Sequence, residues 1–355
     1  MSERILTDAE LIAIGGRMNK TLGLPVTQRC FGKGQITLRS EKERPGERTL
    51  RPGEMLQWKT VDGVEYFLKN VQWFRAMEFF ILPPAELKPG GPTVSIIIPA
   101  CDNLYLTRQC LESVWRQTRD VDCEVILINN GSTDGTKAFL EEIKGRVVAL
   151  HVEQRVPFAK ANDMAAHFAK GDYLVLLNND TIAHPGWLTE MLKVARGQEG
   201  VGIVGSRLVY PSGRVQHAGI AFREKWPTHI YCQSTDAHAP YLLRTREMQA
   251  VTGACMLIPR RLFGQFGGFD EAFKNGYEDI DLCLRVREAG YRVICCGRSV
   301  LTHYEGRTPG RHDHDAKNHA LFMGRWAHRI QDDYEDILAA DSSDLVLESS
   351  CTRIA

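Results

Sequence analysis

The feature that most constrains the fold is a series of short apolar strands alternating with amphipathic helices, which begins near residue 94. Residues 94–98 (VSIII) suit a buried strand, and apolar side chains then recur at three- and four-residue spacing from Leu106 to Trp115. The alternation continues with strands at 125–128, 147–152 and 173–177 and with helices at about 136–144 and 159–169. This pattern predicts an α/β fold, with a mainly parallel sheet and flanking helices.

A segment rich in Pro and Gly at 87–92 (LKPGGP) opposes both helix and strand and marks the main boundary. A chain of 355 residues is long enough for about two domains. We predict four parts: a small N-terminal accessory module of mixed α+β type at 1–88, the α/β domain at 93–308, a C-terminal helix packing on it at 309–330, and an acidic tail at 331–355. Within the accessory module the pattern favours a helix at 7–20 and strands at 35–39, 55–59 and 64–69. We assign this module no function.

Composition excludes several classes of function. The 44 basic residues balance 44 acidic ones, so no net field favours nucleic acid. Ten cysteines are scattered without a CxxC pair, which is typical of reduced thiols in a cytosol. The N-terminus lacks the pattern of a signal peptide, and no apolar run approaches the ~18 residues of a spanning helix. We therefore expect a cytoplasmic protein with at most peripheral membrane association.

Polar residues follow the predicted strands, at the edge where such sheets bind ligands. Residues 99–103 (PACDN) follow the first strand and 129–136 (NNGSTDGT) follow the second. Asn and Asp side chains there can accept from a nucleobase, and Gly permits close approach of the backbone. The same residues also serve ordinary turns and helix caps, and both interpretations stay open.

Two further positions suit a divalent cation. Asp180 follows the strand at 173–177, and its carboxylate is the hard oxygen ligand that Mg²⁺ or Mn²⁺ prefers. His303 follows the apolar residues 300–302 and could complete the metal shell as a neutral imidazole. Helix capping by Asp180 and simple packing of His303 are the alternatives. The run 312–315 (HDHD) has the composition of a metal clamp, but a solvated helix start is favoured.

Acidic residues at Glu278, Asp279 and Asp281 open a predicted helix. Carboxylates there either cap the helix or, beside a cleft, act as a general base toward an acceptor hydroxyl. The stretch 205–253 offers acceptor-side candidates for stacking and hydrogen bonding, of which we expect at least half to be structural. These candidates are His217, Trp226, His229 and Tyr231.

Taken together and in order, these segments resemble the family 2 glycosyltransferases of GT-A fold, over residues 93 to about 326. The segments that carry the resemblance are SIIIPACDNLYLTRQCLESVWRQT, EVILINNGSTDGT, GDYLVLLNNDT, GIVGSRLVYPSGRVQHAGI, VTGACMLIPRRLFGQFGGFDEAF, YEDIDLCLRVREAGYRV and VLTHYEG. Within the family the chain is similar to rhamnosyltransferase-like and galactofuranosyltransferase-like enzymes of bacterial surface polysaccharides. Residues 93–308 would then be the GT-A domain.

The resemblance implies inverting, metal-dependent transfer of a sugar from a nucleotide-sugar donor, with UDP or dTDP favoured, to a glycan or lipid-linked glycan at the inner face of the plasma membrane. The cofactor implied is Mg²⁺ or Mn²⁺. The site residues expected are Asp279 as catalytic base; Glu278, Asp281, His217 and Trp226 on the acceptor side; Pro99, Asp102, Asn129, Asn162, Asn178 and Asn179 for the nucleotide sugar; and Asp180 and His303 for the metal. For Asp281, orienting the helix is favoured over reaction.

The chain departs from the family pattern at three places. Asn129 and Asn178 stand where many relatives carry Asp, and an amide oxygen brings no charge to a base or a cation. Arg155 and Val156 stand before Phe158 where relatives often have Asn and Gly. The alternative function is therefore a non-catalytic module that binds sugar nucleotides or glycans. A nucleotidylyltransferase, a P-loop enzyme and a hydride-transfer enzyme are excluded, because their Gly-rich phosphate loops do not occur.

Overall fold

The computed structural model describes residues 55–59, 65–69, 93–234, 239–305 and 313–351. It divides the chain into two compact units, Met1–Pro83 and Pro84–Ala355. In the first unit, β1 (Met55–Lys59) pairs antiparallel with β2 (Glu65–Lys69), close to two of the predicted strands. The predicted helix at 7–20, the strand at 35–39 and the breaker segment at 87–92 lie outside the described residues.

The second unit contains one large sheet with helices on both faces. Its strands are β3 (Val94–Ala100), β4 (Cys123–Asn130), β5 (Val148–Val152), β6 (Tyr173–Leu177), β7 (Thr181–Ala183), β8 (Val201–Val209), β9 (Val215–His217), β12 (Thr245–Glu247), β13 (Cys255–Pro259) and β14 (Arg292–His303); β10 (Ile220–Arg223) and β11 (Trp226–His229) form a separate hairpin. The helices are α1 (Leu104–Gln117), α2 (Thr136–Glu142), α3 (Phe158–Ala166), α4 (Trp187–Gly197), α5 (Arg260–Gln265), α6 (Glu278–Glu288), α7 (Asp315–Trp326) and α8 (Tyr334–Cys351).

The sheet is mainly parallel, which confirms the predicted fold class. Its strand order is β12-β14-β8-β13-β6-β3-β4-β5, with β7 paired to β14 and β9 to β8. Strands β5, β4, β3, β6, β8 and β14 run in one direction, while β12 and β13 run against them. The carboxyl ends of β3, β4, β6 and β14 therefore meet at one edge.

The central strands β3, β6 and β13 are mostly apolar and buried, as expected where both faces of a sheet are covered. Side chains alternate between two cores: Ile97 belongs to the core on one face, whereas Ile96 and Ile98 belong to the core on the other. All three are fully buried, so truncating any of them to Ala should cost about 2–5 kcal/mol. This packing makes the carboxyl edge a rigid support for the loops that follow the strands.

The C-terminal region extends further as helix than the sequence predicts. Helix α7 lies within the predicted helical region 309–330, and α8 covers most of the tail in which only a short helix is expected. Asp341 of α8 is buried and accepts hydrogen bonds from Arg244, Arg246 and Tyr231. In the part of the chain that the structure describes, no helix has the length and apolarity needed to cross a membrane.

Candidate active site

A cleft of about 800 Å³ lies at the carboxyl edge of the sheet. It is walled by the ends of β3, β4, β6 and β14, by the β10–β11 hairpin and by the first turns of α6 and α7. Eight of the site residues that the family resemblance implies line it: Pro99, Asn178, Asn179, Asp180, Trp226, Glu278, Asp279 and His303. The other five, which are Asp102, Asn129, Asn162, His217 and Asp281, are not among the lining residues.

Asp180 and His303 form the pair with the chemistry of a metal site. Strand β7 pairs antiparallel with the end of β14, with His303 opposite Thr181, and this register brings the two side chains together. Asp180 Oδ1 lies 3.1 Å from His303 Nε2, and both residues are less than 10% exposed. The amide of Asn178 lies 3.3 Å from the same nitrogen. A carboxylate and an imidazole that converge at the cleft fit a divalent cation. Within the described ranges, no group of three acidic, His or Cys side chains forms a more complete site.

Gln216, which sequence reasoning missed, holds the His303 ring. Its Oε1 lies 2.8 Å from His303 Nδ1 and its Nε2 donates to Glu305 Oε2 at 3.1 Å. Since an amide oxygen only accepts, the contact with Gln216 suits a proton on Nδ1, and Nε2 is the nitrogen that faces Asp180. This is the arrangement by which partners outside the metal shell orient a ligating imidazole. Gln216 lies in the QHAGI segment, which carries the family resemblance but gives this residue no role.

Asp279 lies at the start of α6, half-buried in the cleft wall. Tyr277, the residue directly before this helix, has φ +72°, which turns the chain sharply into the helix. Asp279 Oδ2 accepts the Gly253 N–H at 2.7 Å and Oδ1 accepts the Ile280 N–H at 2.9 Å. A carboxylate has further lone pairs, so Asp279 can still accept a hydrogen bond from a substrate hydroxyl.

The two neighbouring acids have different surroundings. Glu278 lines the cleft, but it is buried and its Oε2 accepts the Gly276 N–H at 2.5 Å. Asp281 is fully buried away from the cleft, so its acceptor-side assignment is corrected. It accepts hydrogen bonds from Arg285 Nε at 2.7 Å, Arg325 Nη1 at 3.1 Å and Trp326 Nε1 at 2.9 Å. Asp281 thus fixes α6 against α7.

His217 and Trp226 also differ. His217 is fully buried behind His229, with the two Nδ1 atoms 3.1 Å apart, so its acceptor-side assignment is corrected as well. Burial, reinforced by the neighbouring imidazole, lowers the pKa of His217 well below its usual range. The pKa of His229, which lines the cleft, is also lowered by burial. Trp226 lies on the rim, is 54% exposed and stacks on His319.

Three residues expected to touch the nucleotide make hydrogen bonds within the protein, two of them in the loops after β3 and β4 and one inside helix α3. Asp102 Oδ1 accepts the Thr133 N–H at 2.7 Å, and Asn129 Oδ1 accepts the Ser132 N–H at 3.1 Å. Asn162 is fully buried and its Nδ2 donates to the Phe158 carbonyl at 2.9 Å. None of the three side chains is among those that line the cleft, and their roles in nucleotide binding stay predictions.

Asn130 and Arg155, which are not among the expected site residues, line the cleft. The Asn130 amide forms two hydrogen bonds of 2.8 Å with the backbone N–H and carbonyl of Val156. Gly131, at φ +71°, lets the Arg155 backbone approach, since a Cβ there would lie 2.7 Å from the Arg155 nitrogen. In the sequence, Arg155 stands out only as a departure from the family pattern. Local pattern does not predict that Asn130 and Gly131 lie against residues 155 and 156.

The cleft is acidic. Its described lining carries five carboxylates, those of Asp180, Glu278, Asp279, Glu305 and Asp315. Arg155 is the single Lys or Arg among the same lining residues. A polyanionic ligand would therefore be repelled from most of this surface unless a cation accompanied it.

Comparisons with known proteins agree with this fold. Residues 95–265 match the family model described as glycosyl transferase family 2. The uncharacterized protein y4gI of Sinorhizobium fredii is 34% identical over 73% of this chain and 30% of its own length. The O-antigen biosynthesis protein RfbC of Myxococcus xanthus is 36% identical over 61% of this chain and 18% of its own length. This chain thus matches less than a third of either protein.

A shorter relative and a solved structure complete the comparison. The N-acetylglucosaminyl-diphospho-decaprenol L-rhamnosyltransferase of Mycobacterium tuberculosis is 27% identical over 53% of this chain and 68% of its own length. The crystal structure of GalNAc-T7 with UDP, GalNAc and Mn²⁺ superposes with a TM-score of 0.56 at 17% identity, over 69% of this chain and 50% of that one. At that identity the superposition shows the GT-A fold alone.

Proposed function

We propose that this chain, a member of glycosyl transferase family 2 through residues 95–265, transfers a sugar from a nucleotide-sugar donor to a glycan hydroxyl with inversion at the anomeric carbon. The observation that carries the proposal is the presence of Asp180, His303 and Asp279 in one cleft at the carboxyl edge of the sheet. A carboxylate–imidazole pair and a separate carboxylate are the groups that such a displacement needs.

The donor binds at the nucleotide side of this cleft, against Pro99, Asn130 and Arg155. Asp180 and His303 would hold a divalent cation, Mg²⁺ or Mn²⁺, with Asn178 beside them. When bound, that cation neutralises charge on the donor diphosphate, which the acidic lining would otherwise repel. Arg155 supplies a further positive charge to the phosphates, and Gln216 keeps His303 in the orientation that ligation requires.

Asp279 acts as the general base. The acceptor hydroxyl oxygen forms a bond to the anomeric carbon, the bond from that carbon to the diphosphate oxygen breaks, and the nucleoside diphosphate leaves with the electron pair. The hydroxyl proton passes to a carboxylate oxygen of Asp279. The N–H groups of Gly253 and Ile280 hold the carboxylate in place during this transfer. Glu278 and Trp226 lie on the acceptor side of the same wall.

The similarity to an O-antigen biosynthesis protein and to a rhamnosyltransferase supports a role in bacterial surface polysaccharide synthesis. We propose a glycan or lipid-linked glycan as acceptor, a UDP- or dTDP-sugar as donor, and a cytoplasmic site of action at the inner face of the plasma membrane.

The test is a donor screen with the purified chain, using UDP-, dTDP- and GDP-sugars with Mn²⁺ or Mg²⁺ and measuring nucleoside diphosphate release and nucleotide binding. We expect one donor to be bound and slowly hydrolysed, with both signals lost in Asp180→Ala. Asp172→Ala is the matched control. Asp172 is exposed and precedes β6, whereas Asp180 follows the other end of that strand. Metal-dependent binding without turnover, even with glycan acceptors, would favour the non-catalytic module. The proposal would be contradicted if neither nucleotide binding nor nucleoside diphosphate release depended on metal or on Asp180.

A further inference from the structure

The exposed indole of Trp226 belongs to a stacked aromatic pair at the rim of the cleft. The ring centroids of Trp226 and His319 lie 3.7 Å apart with planes 5° from parallel. Both residues line the cleft, yet Trp226 is 54% exposed, so it presents a large apolar surface to whatever enters. A flat aromatic surface among the polar groups of a cleft is one on which a ligand with an apolar face can stack.

The hairpin that carries Trp226 is anchored at its turn. It opens β11 directly after the turn residues Glu224 and Lys225, at φ +51° and +65°. The Lys225 N–H donates to Asp332 Oδ1 at 2.7 Å and its Nζ donates to the Ile330 carbonyl at 2.8 Å. With its backbone anchored beside this turn and its indole stacked on His319, Trp226 has less conformational freedom to lose on binding a ligand, which favours a recognition role.

Helix α7 supports the other half of the pair. Phe322 of α7 stacks on Phe222 of the hairpin inside the core, with centroids 6.1 Å apart. His319 lies one turn earlier on the same helix, and its Nδ1 is 3.1 Å from the hydroxyl of Tyr277. Tyr277 immediately precedes Glu278 and Asp279. The stacked pair is therefore linked by one hydrogen bond to the turn that positions the proposed base.

The charges of this wall restrict the ligand. Glu278, Asp279 and Asp315 line the cleft together with the stacked pair, and Asp315 begins the helix that carries His319. Carboxylates repel a phosphate but accept hydrogen bonds from hydroxyl groups. A ligand that offers one apolar face to an indole and several hydroxyls to carboxylates is a neutral sugar ring.

We propose that Trp226 and His319 form a sugar-binding platform, on which the ring of the acceptor carrying the reactive hydroxyl stacks, and that Tyr277 is the positioning residue that sets this platform relative to Asp279. This inference rests on the proposed function, and it adds that the acceptor presents an uncharged sugar ring, rather than a lipid diphosphate, to this wall.

The test uses methyl α- and β-glycosides of common hexoses and of N-acetylglucosamine as probes, since the methyl group adds no aromatic ring of its own. Saturation-transfer NMR measures their binding to the purified full chain without requiring turnover. We expect at least one glycoside to bind, Trp226→Ala and His319→Ala to weaken binding at least fivefold, and Trp226→Phe and His319→Phe to retain most of it. Phe168→Ala is the matched control, because Phe168 is also 54% exposed but lies outside the cleft lining.

Tyr277→Phe separates positioning from binding. With a donor and acceptor pair in hand, we expect acceptor KM to stay within about twofold and kcat to fall, because the platform remains but its link to the base is lost. The proposal is overturned if no glycoside binds, if Trp226→Ala binds as wild type, or if UDP, dTDP or GDP alone displaces the glycosides competitively, which would make the platform a nucleobase site. Failure of the proposed function gives a different result, namely absence of metal-dependent nucleotide binding and release.

Discussion

Gln216 Oε1 lies 2.8 Å from His303 Nδ1, and this contact determines which nitrogen of His303 faces Asp180. Both Gln216 and His303 are less than 10% exposed, so water does not readily replace the contact. The metal binding that we propose for the cleft would therefore depend on a residue that ligates nothing itself.

Gln216→Leu should weaken metal binding about 10- to 100-fold, because the ring loses its orienting acceptor and the ligating tautomer is no longer selected. Titration with Mn²⁺ followed by electron paramagnetic resonance measures the affinity directly. Gln249→Leu is the control, since Gln249 is also buried and hydrogen-bonded to backbone, at Gln331, but lies outside the cleft lining. Equal metal affinity in wild type and Gln216→Leu would refute the orienting role.

Asp279→Asn should lower transfer about 10²- to 10⁴-fold while leaving donor binding and stability nearly unchanged. The amide keeps an oxygen for one of the two backbone N–H groups but cannot take the acceptor proton. Steady-state kinetics and isothermal titration with the donor separate the two effects. A variant that retained most of the wild-type kcat would remove Asp279 from the role of base.

Asp281→Asn should behave in the opposite way. It leaves the cleft intact but removes the negative charge opposite Arg285 and Arg325, so the free energy of unfolding should fall by about 2 kcal/mol, a value reduced for the partial exposure of both arginines. Urea unfolding measures this loss. A variant of unchanged stability but abolished transfer would return Asp281 to the acceptor site.

Arg155→Ala should raise the donor KM about tenfold with a smaller effect on kcat, because the guanidinium contributes binding to a diphosphate in an otherwise acidic cleft. Arg155→Lys should recover part of the loss. Arg298→Ala is the control, because this exposed arginine lies outside the cleft lining. An unchanged donor KM in Arg155→Ala would place the phosphates elsewhere.

Asp163 gives a prediction about pH and stability. Burial raises the pKa of its carboxyl to about 6, and the hydrogen bond from the Phe269 N–H only partly opposes this. The folded state therefore holds the proton up to a higher pH than the unfolded state, whose pKa is about 3.9, and stability should decline as pH rises from about 4 to about 6.

Asp163→Asn removes this penalty and keeps an oxygen for the Phe269 N–H. We expect the variant to match wild type near pH 4 and to exceed it by about 1 kcal/mol above pH 6, after allowance for solvent screening at this half-buried site. Urea unfolding from about pH 4 to about pH 7.5 provides the comparison, with Glu199→Gln, an exposed substitution, alongside. A variant less stable than wild type at pH 7 would show the charge to be favourable.

Much of the fold was predictable from the sequence because its signals are local. The strand predicted at 173–177 has the same bounds in the structure, and the first helices differ from prediction by a few residues at their ends. Alternation of buried strands and amphipathic helices requires a mainly parallel sheet, and chemistry at its carboxyl edge follows from that topology. The sequence thus determined the class of fold and the edge that carries the site.

Only the tertiary structure decided which residues reach the cleft. Asn178 and His303 are 125 positions apart, and the pairing of β7 with β14 brings them together. Asp279 and Asp281 look alike in sequence, but a helix rotates by about 100° per residue, so they point in nearly opposite directions, one to the cleft and one to the core. The partners that separate a ligand, a base and a structural acid come from distant strands and helices, and local pattern carries no information about them.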